Sequence, residues 1–417
     1  MSNEENVKSL FCNFCGKKQN EVKKLISGPD VYICNECVEL CYSVLTDNNK
    51  HQKTSENSDE LPTPKQIHNF LNDYVIGQEY AKRVLSVGIY NHFIRLQNLK
   101  NEDVELDKSC ILLTGPTGSG KTFLLKNVAR LLDVPFVSTD ATTLTESGYV
   151  GDDVESIVSK LLQTADYNVE KTQKGIIYID EIDKKCVKGE STSITRDVSG
   201  EGVQQALLKI IEGTKCRVTT SGGRKNPNQD TVEVDTTNIL FILGGSFVGL
   251  EKIIQEGFEE SSIGFNASIK NPSDNSNTGK YLNKLEPHHL MKFGIIPELA
   301  GRLPVYAHLE ELNKDELIKV MTEPKNSLLK QFKKMFEIQN IELEFTEKAL
   351  DRIAQLAIER KTGARGLRSV IEKILLPVQY DLPEMKSKNI TKVEINEKVV
   401  DNEENPVYIY NQQQKSV

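Results

Sequence analysis

Eight consecutive residues constrain the fold of this chain more than any other feature. They match the pattern G-x-x-x-x-G-K-[ST] and consist of Gly115, Pro116, Thr117, Gly118, Ser119, Gly120, Lys121 and Thr122. A short apolar run, 110–113, precedes them, and a helical pattern, 123–132, follows. Glycines at these positions let backbone N–H groups turn toward a polyphosphate at the start of a helix. The strand–loop–helix context predicts a phosphate-binding loop, and a Gly-rich turn before an ordinary helix is the minor alternative.

Two side chains of this loop and a later pair of carboxylates predict the chemistry of a nucleotide site. We expect Lys121 to reach the β- and γ-phosphates and the Thr122 hydroxyl to hold Mg²⁺. About sixty residues further on, the apolar run 175–179 ends in Asp180 and Glu181. Asp180 is expected to act on Mg²⁺ and Glu181 to polarise the attacking water. An Asp-Glu pair after a strand is common at surfaces, so its weight comes from its association with the phosphate loop.

Four cysteines near the N-terminus form two pairs with the same spacing. Cys12 and Cys15 make the first C-x-x-C pair, and Cys34 and Cys37 make the second. Two such pairs can complete a tetrahedral Cys₄ zinc site without an open position, so the metal would be structural. A segment this short makes a small core, and we expect zinc to supply its folding free energy. Four unrelated thiols and a redox dithiol are the alternatives, and no βαβ pattern supports the redox interpretation.

The overall charge and hydropathy exclude some classes of partner. The net charge of −8 and the isoelectric point near 5.5 argue against nucleic acid as the main partner. No apolar run approaches the ~20 residues that cross a bilayer, and the polar N-terminus lacks the features of a targeting segment. We therefore expect a cytoplasmic chain without a membrane partner, whose cysteines stay reduced.

The pattern of apolar and polar residues predicts several segments along the chain. They are a zinc-binding domain (1–48), a flexible linker (49–64), a large α/β domain (65–312), a small α+β domain (313–405) and a disordered tail (406–417). Apolar strands in the large domain alternate with helical patterns, which indicates a parallel sheet, and are predicted at 110–114, 134–138, 175–180 and 238–243. Long exposed loops are predicted at 184–200, 221–231 and 264–280.

Taken in order, these motifs resemble those of the ClpX family, the AAA+ unfoldase subunits of a two-component bacterial protease. The similarity covers nearly the whole chain and includes the cysteine pairs and the segments 74–78, 115–122, 180–181, 301–304 and 363–366. It implies the α/β fold class of an AAA+ P-loop ATPase, with a parallel sheet, a C-terminal α+β small domain and an N-terminal Cys₄ zinc-binding domain. It also implies a homohexamer that uses ATP, Mg²⁺ and Zn²⁺, a ClpP-type peptidase partner, tagged or unfolded protein substrates, adaptors, and a zinc domain that dimerises.

The resemblance also implies roles for residues that the local sequence leaves open. Val75 and Ile76 are expected in the adenine pocket. Arg302 is similar to the finger that reaches the neighbouring subunit's nucleotide, and Arg365 is similar to a sensor of the γ-phosphate. By sequence alone, each arginine would be a surface or salt-bridge residue. A finger acting in trans would make hydrolysis depend on the geometry of the ring.

Two segments are similar to the pore loops of the family. Tyr149 and Val150 lie between glycines in a segment similar to the axial pore loop. An aromatic ring on a flexible loop can press on a passing chain without recognising its sequence. Arg196 lies in a segment similar to a second pore loop. Without the resemblance, the segment 148–151 would be interpreted as a turn beside a core tyrosine.

Two more segments are similar to the contacts that the family makes with substrates and with the peptidase. Arg224 and Lys225 resemble part of the entry loop, which would attract acidic or carboxylate tags, and Asn226 stands where the family usually has His. A second polar loop begins with two apolar side chains, which are costly to expose unless they dock into a pocket. This tripeptide is similar to the peptidase-docking loop, a local packing anchor being the alternative, and consists of Ile263, Gly264 and Phe265.

Three functional classes therefore compete. The leading hypothesis is an ATP-driven protein unfoldase and translocase that feeds a separate peptidase, since no triad-like nucleophile arrangement is present. A zinc-containing nucleic-acid motor would share the ATPase core and the Cys₄ site, but the acidic charge opposes it. A binding module with a degenerate ATPase is opposed by the intact set of candidate catalytic residues.

Overall fold

The computed structural model of the chain describes residues 10–29, 31–41, 61–98, 104, 106–145, 152–186, 200–219, 231–261, 281–360, 362–385 and 389–410. Its contacts divide the chain into two compact units, Met1–Leu61 and Pro62–Val417. In the described residues, no helix has the length and apolar character needed to span a membrane.

The first unit is built around a short antiparallel hairpin. Strand β1 (Leu25–Gly28) pairs with β2 (Val31–Cys34), so that Leu25 lies opposite Cys34. The first cysteine pair lies in a tight turn, in which the N–H of Gly16 donates to the carbonyl of Cys12 at 2.9 Å. The second pair begins where β2 ends. The hairpin and the turn therefore bring two cysteine pairs that are distant in sequence into one place.

The second unit contains a five-stranded parallel sheet in its described residues. Its order is β11 (Val305–His308), β3 (Ile111–Thr114), β10 (Leu240–Gly245), β7 (Ile176–Asp180) and β4 (Phe136–Asp140). All residues of β3 and β10 are buried, as expected for strands covered on both faces. Because the strands are parallel, their carboxyl ends meet at one edge. The phosphate loop follows β3, and Glu181 follows β7 directly, at this edge.

Helices and smaller strands surround the sheet. The helices are α1 (Pro64–Asn72), α2 (Glu79–Asn98), α3 (Lys121–Leu132), α4 (Ser156–Thr164), α5 (Val169–Gln173), α6 (Glu201–Glu212), α7 (Leu250–Ser261), α8 (Pro287–Phe293) and α9 (Pro297–Gly301). The smaller strands are β5 (Leu144–Thr145), β6 (Asp152–Asp153), β8 (Lys215–Thr219) and β9 (Thr231–Asp235). The sheet encloses an apolar core together with α4, α6, α7, α8 and α9, and this core extends to Leu303.

The C-terminal part of the second unit has a separate apolar core, which begins at Leu317. Its elements are α10 (Lys314–Thr322), α11 (Leu328–Ile338), β12 (Glu342–Phe345), α12 (Glu347–Glu359), α13 (Ala364–Met385), β13 (Ile390–Ile395), α14 (Glu397–Val400) and β14 (Val407–Tyr410). Strand β13 pairs in parallel with β12 and antiparallel with β14. The side chain of Asn313 caps α10 by accepting from the N–H of Glu316 at 2.9 Å. This cap marks the start of the α+β region.

The predicted fold class is confirmed, with corrections at particular elements. The strand predicted at 134–138 is Phe136–Asp140, because Pro135 has no N–H to donate and the strand begins after it. The strand predicted at 238–243 is Leu240–Gly245, since a turn occupies 237–239. The disordered tail predicted from 406 is wrong for Val407–Tyr410, a β-branched and aromatic run that pairs with β13. The predicted domain boundaries remain predictions, although the two cores separate on either side of residue 312.

Candidate nucleotide-binding and metal sites

A cleft of about 550 Å³ lies at the carboxyl edge of the sheet, between the two cores of the second unit. The phosphate loop, the end of β7, the residue after β10 and the first turn of α13 contribute to its walls. Most of the residues predicted to bind ATP line it, namely Val75, Ile76, Thr117, Gly118, Ser119, Gly120, Lys121, Thr122, Asp180, Glu181 and Arg365. The cleft therefore brings together segments that are far apart in the sequence.

The phosphate loop has the backbone that its glycines predict. Gly120 takes φ +100° and immediately precedes the first residue of α3, Lys121, so the amino end of this helix lies at the cleft. Gly115 and Pro116 do not line the cleft themselves. Their carbonyl oxygens accept hydrogen bonds from the Lys121 ammonium at 2.7 and 3.1 Å. The loop can thus offer N–H groups and a helix terminus to a polyphosphate.

Lys121 is held inside the site. Its side chain is 8% exposed. Burial lowers the pKa of its ammonium from the ordinary value, although the negative charges of Asp180 and Asp183 act to raise it. In this structure the ammonium is satisfied by carbonyls of its own loop. A phosphate oxygen is a stronger partner than a neutral carbonyl, so the ammonium can exchange these partners for a nucleotide.

Thr122 and Asp180 lie together in a way that fits a magnesium ion. The Thr122 hydroxyl donates to an oxygen of Asp180, with 3.5 Å between Oγ1 and Oδ2. A hydroxyl and a carboxylate are hard oxygen ligands, which Mg²⁺ prefers, and both face the cleft. These two residues could therefore hold the ion beside the phosphates.

Glu181 has a constrained backbone at the end of β7. It takes φ +57°, a left-handed conformation that is uncommon for a residue with a side chain. Its N–H donates to Oδ1 of Asp180 at 2.9 Å, which ties the Asp180 carboxylate to the backbone of Glu181. Strained residues of this kind persist where the surrounding structure holds them, often at functional sites. In this conformation Glu181 lines the cleft.

Ser246 is a cleft residue that the sequence did not identify. It follows β10, the strand between β3 and β7, and its hydroxyl donates to Oδ2 of Asp183 at 2.9 Å. Its N–H lies 3.3 Å from the other oxygen of Asp183. A polar residue just beyond a central parallel strand was the available signal, since such strand ends meet at one edge.

The remaining cleft residues were not assigned to the site from the sequence, and only Tyr74 and Ala364 among them lie in the segments 74–78 and 363–366 that resemble the family. Most come from the segment after β11, the end of α10, the connection to α11, and the first turns of α11 and α13, where apolar patterns predict core packing. They are Tyr74, Phe123, Lys184, Leu312, Val320, Pro324, Asn326, Ser327, Leu328, Gln331, Ala364 and Arg368. The apolar and amide side chains among them line the same cleft as Val75 and Ile76, a mixture that suits a nucleobase.

Direct contacts join the two sides of the cleft. The N–H of Ala364 donates to the carbonyl of Gly118 at 3.3 Å, which links α13 to the phosphate loop itself. The ammonium of Lys325 contacts Asp73 at 2.7 Å. Outside the cleft, Gln78 exchanges two hydrogen bonds with the backbone of Glu310, at 2.8 and 2.9 Å, which tie the segment before α2 to the segment after β11. The C-terminal core therefore contacts the loop that would hold the phosphates.

We expect a Gly118→Ala substitution to weaken ATP binding by at least about tenfold. A Cβ at Gly118 would lie 2.5 Å from the carbonyl oxygen of Thr362, and the backbone φ of +82° disfavours a side chain. The loop or α13 must move, which separates the two walls of the cleft. Gly249→Ala is the control, because Gly249 has φ +95° but open space around it. Titration with a fluorescent ATP analogue measures the effect, and unchanged affinity would show that the contact is dispensable.

Arg302 and Arg365 occupy different environments. Arg365 lines the cleft from the first turn of α13. Arg302 follows α9, outside the cleft, and its half-exposed guanidinium forms an ion pair with Glu212 at 2.8 Å. The structure thus places one arginine at the chain's own site and the other at the surface.

Other predicted site residues lie outside the described residues, and their roles remain predictions. These are the pore, entry-loop and docking-loop residues Tyr149, Val150, Arg196, Arg224, Lys225, Asn226, Ile263, Gly264 and Phe265.

The four predicted zinc ligands converge in the first unit. The Sγ atoms of Cys12, Cys15, Cys34 and Cys37 all lie within 4.8 Å of one another. The Sγ atoms of Cys12 and Cys37 are 3.9 Å apart, and those of Cys15 and Cys34 are 3.6 Å apart. Tetrahedral zinc with Zn–S bonds of about 2.3 Å needs sulfurs about 3.8 Å apart. The N–H of Cys34 also donates to Sγ of Cys12 at 3.3 Å, which orients that ligand. The donor set therefore fits a structural zinc ion.

The sheet order, the phosphate loop, the acidic end of β7 and the α+β region across the cleft together define an AAA-type P-loop ATPase that carries a Cys₄ zinc finger. Three family models match the chain: an AAA domain of the Cdc48 subfamily at 106–306, a ClpX C4-type zinc finger at 10–47, and the C-terminal D2-small domain of ClpB protein at 312–395. None of the three describes a peptidase.

The chain is 49% identical over 397 residues to the ATP-dependent Clp protease ATP-binding subunit ClpX of Treponema denticola, which covers 94% of each chain. The chain therefore belongs to the ClpX family. The predicted family, ATPase activity and use of ATP, Mg²⁺ and Zn²⁺ are confirmed.

Proposed function

We propose that this chain unfolds and translocates tagged proteins as a homohexameric ring and delivers them to a ClpP-type peptidase. The observation that carries this proposal is the cleft, which joins the phosphate loop and Glu181 on one core to Arg365 on the other. A nucleotide bound there touches both cores, so its hydrolysis can change their relative orientation. Membership of the ClpX family supports the proposal that this change in orientation drives unfolding and translocation of a protein substrate.

Each cleft residue has a proposed task in hydrolysis. Lys121 binds the β- and γ-phosphates, while Thr122 and Asp180 hold Mg²⁺, which when bound offsets charge on the phosphate oxygens. Glu181 accepts a proton from the attacking water. Arg365 contributes positive charge from the C-terminal core, near the γ-phosphate. Val75 and Ile76 provide an apolar surface for the adenine base.

Arg302 is proposed to act on the nucleotide of a neighbouring subunit. Its side chain does not line its own cleft within the described structure, and it is exposed enough to meet another chain. Positive charge from a neighbour would complete the site only when subunits are assembled. Hydrolysis would then depend on the ring, which supports coupling between chemistry and subunit motion.

The finer assignments rest on the resemblance to the family. Tyr149 and Val150 are proposed to grip the translocating chain with help from Arg196. Arg224 and Lys225 are proposed to attract tags at the pore entrance. The segment 263–265 is proposed to dock into the peptidase. Adaptor binding, dimerisation of the zinc domain and a cytoplasmic location are likewise proposals.

The test is degradation of a folded fluorescent reporter that carries a C-terminal degradation tag. The full chain and a ClpP-type peptidase should abolish the fluorescence when ATP is present. A non-hydrolysable ATP analogue and an untagged reporter are the controls, and both should preserve the signal. Loss of fluorescence without ATP hydrolysis, or ATP hydrolysis without any loss of fluorescence, would contradict the proposed function.

A further inference from the structure

The ion pair between Arg302 and Glu212 has a particular geometry. Nε of Arg302 donates to Oε1 of Glu212 at 3.0 Å, and Nη2 lies 2.8 Å from the same oxygen. Both contacts therefore use one edge of the planar guanidinium. Among the described residues, Nη1 has no partner, so this amino group stays available to a second anion. Glu212 therefore holds one edge of the guanidinium and does not occupy Nη1.

Glu212 is well placed to hold another side chain, because α6 is firmly anchored. Val203 and Leu207 of this helix are fully buried in the first core of the second unit. Gln204, also fully buried, donates to the carbonyls of Lys185 and Gly294 at 2.9 and 3.1 Å. Its amide oxygen accepts from the N–H of Ile296 at 2.9 Å. The helix is thus tied both to the segment after Glu181 and to the segment that leads to Arg302.

We propose that Glu212 is a positioning residue for Arg302, which holds the Nε–Nη2 edge so that Nη1 can meet the phosphate of the neighbouring subunit's nucleotide. This inference rests on the proposed action of Arg302 in trans. An exposed arginine samples many rotamers, and only a fraction of them would suit the neighbouring site. The contribution of such a residue to catalysis falls in proportion to the fraction of its rotamers that can reach the neighbouring site. A carboxylate on a rigid helix raises that fraction.

The exposure of the pair suits a positioning role better than a structural one. The side chains of Arg302 and Glu212 are 60% and 42% exposed. Ion pairs of this exposure contribute little to the stability of the folded chain, because water screens them. Removing Glu212 should therefore leave the fold intact and change how Arg302 is presented.

The experiment is steady-state ATP hydrolysis by assembled full-length Glu212→Ala and Glu212→Gln variants. We expect Glu212→Ala to lower kcat by about five- to twentyfold. Its KM for ATP should stay within about twofold of the wild-type value, because Glu212 does not line the nucleotide cleft. Glu212→Gln should recover most of the rate, since its amide oxygen can accept from the same guanidinium edge. Glu404→Ala is the matched control, because the pair of Lys398 and Glu404 has nearly the same exposure, 60% and 45%. This control should keep the wild-type rate.

Parallel assays of Arg302→Ala and of the double variant separate this inference from the proposed function. The double variant with Glu212→Ala should be no slower than Arg302→Ala alone, since Glu212 acts through the arginine. If Arg302→Ala loses its rate and Glu212→Ala stays within twofold of wild type, the positioning role is wrong and the proposed finger stands. If Arg302→Ala keeps its rate, the finger itself is wrong. A Glu212→Gln variant as slow as Glu212→Ala would also overturn the positioning role.

Discussion

A Glu181→Gln variant is expected to bind ATP with nearly normal affinity and to hydrolyse it at least about a hundredfold more slowly. Glu181 lines the cleft together with the proposed magnesium ligands Thr122 and Asp180, and its backbone N–H donates to Asp180. Glutamine keeps the size of the side chain but cannot accept a proton from water. Binding should survive because Lys121 and the loop backbone contact the phosphates. ATP titration and steady-state phosphate release measure the two quantities separately.

Two outcomes of this experiment would contradict the proposed role of Glu181 in different ways. Retained turnover would remove Glu181 as the base, whereas loss of ATP binding would make it a nucleotide ligand instead. Glu337→Gln is a suitable control, because it neutralises an exposed carboxylate that pairs with Lys334 on α11, on the C-terminal core. It should bind and hydrolyse ATP like the wild type. The control therefore distinguishes the loss of the base from a general loss of negative charge.

The sequence predicted those parts of the site whose chemistry is local. Residues 115–122 carry their own turn and helix start, and Asp180 and Glu181 end an unmistakable apolar strand. The spacing of Cys12, Cys15, Cys34 and Cys37 likewise encodes a tetrahedral set, which the hairpin brings together. In each case a short segment contains both the functional groups and the backbone signals that orient them. Local motifs of this kind can therefore be recognised in the sequence and found again in the folded structure.

Other parts of the site could not be predicted, because they arise from packing between distant segments. Ser246 becomes a cleft residue only when β10 lies between β3 and β7. Asn326 and Gln331 reach the cleft only when the C-terminal core packs across the phosphate loop. Glu212 meets Arg302 across 90 residues of chain. Apolar periodicity gives the faces of α10, α11 and α13 but not their partners, so their cleft residues resemble ordinary core positions.

For the fold, too, local features could be predicted from the sequence, and the arrangement of distant segments could not. The existence of β3, β4, β7 and β10 follows from apolar runs bounded by turn residues. The order of these strands depends on crossover connections that no single run encodes. At Val407–Tyr410 the prediction of a disordered tail missed a strand. Antiparallel pairing with β13 places this run in the sheet, although most of its side chains stay exposed.

An Arg302→Ala variant is expected to lower kcat by about a thousandfold, within the range that arginine fingers contribute. Affinity for ATP should change little, because Arg302 lies outside its own cleft. Loss of the exposed pair with Glu212 should also leave thermal stability nearly unchanged. Phosphate release and ATP titration measure the first two quantities, and a melting curve checks the third. A variant that loses ATP affinity instead would place Arg302 in its own site.

Mixed rings of Arg302→Ala and Glu181→Gln subunits provide the decisive test of action in trans. Each variant alone is expected to be inactive, because every interface lacks either the arginine or the base. In a mixed ring, an Arg302→Ala subunit keeps its Glu181 and can receive an intact Arg302 from a Glu181→Gln neighbour. With random placement, about a quarter of the head-to-tail interfaces contain both groups, so a comparable fraction of wild-type ATPase should return. Co-expression with two affinity tags and purification on both isolates such rings. Mixed rings as inactive as the parent variants would contradict a shared site, because recovery requires residues from two chains at one nucleotide.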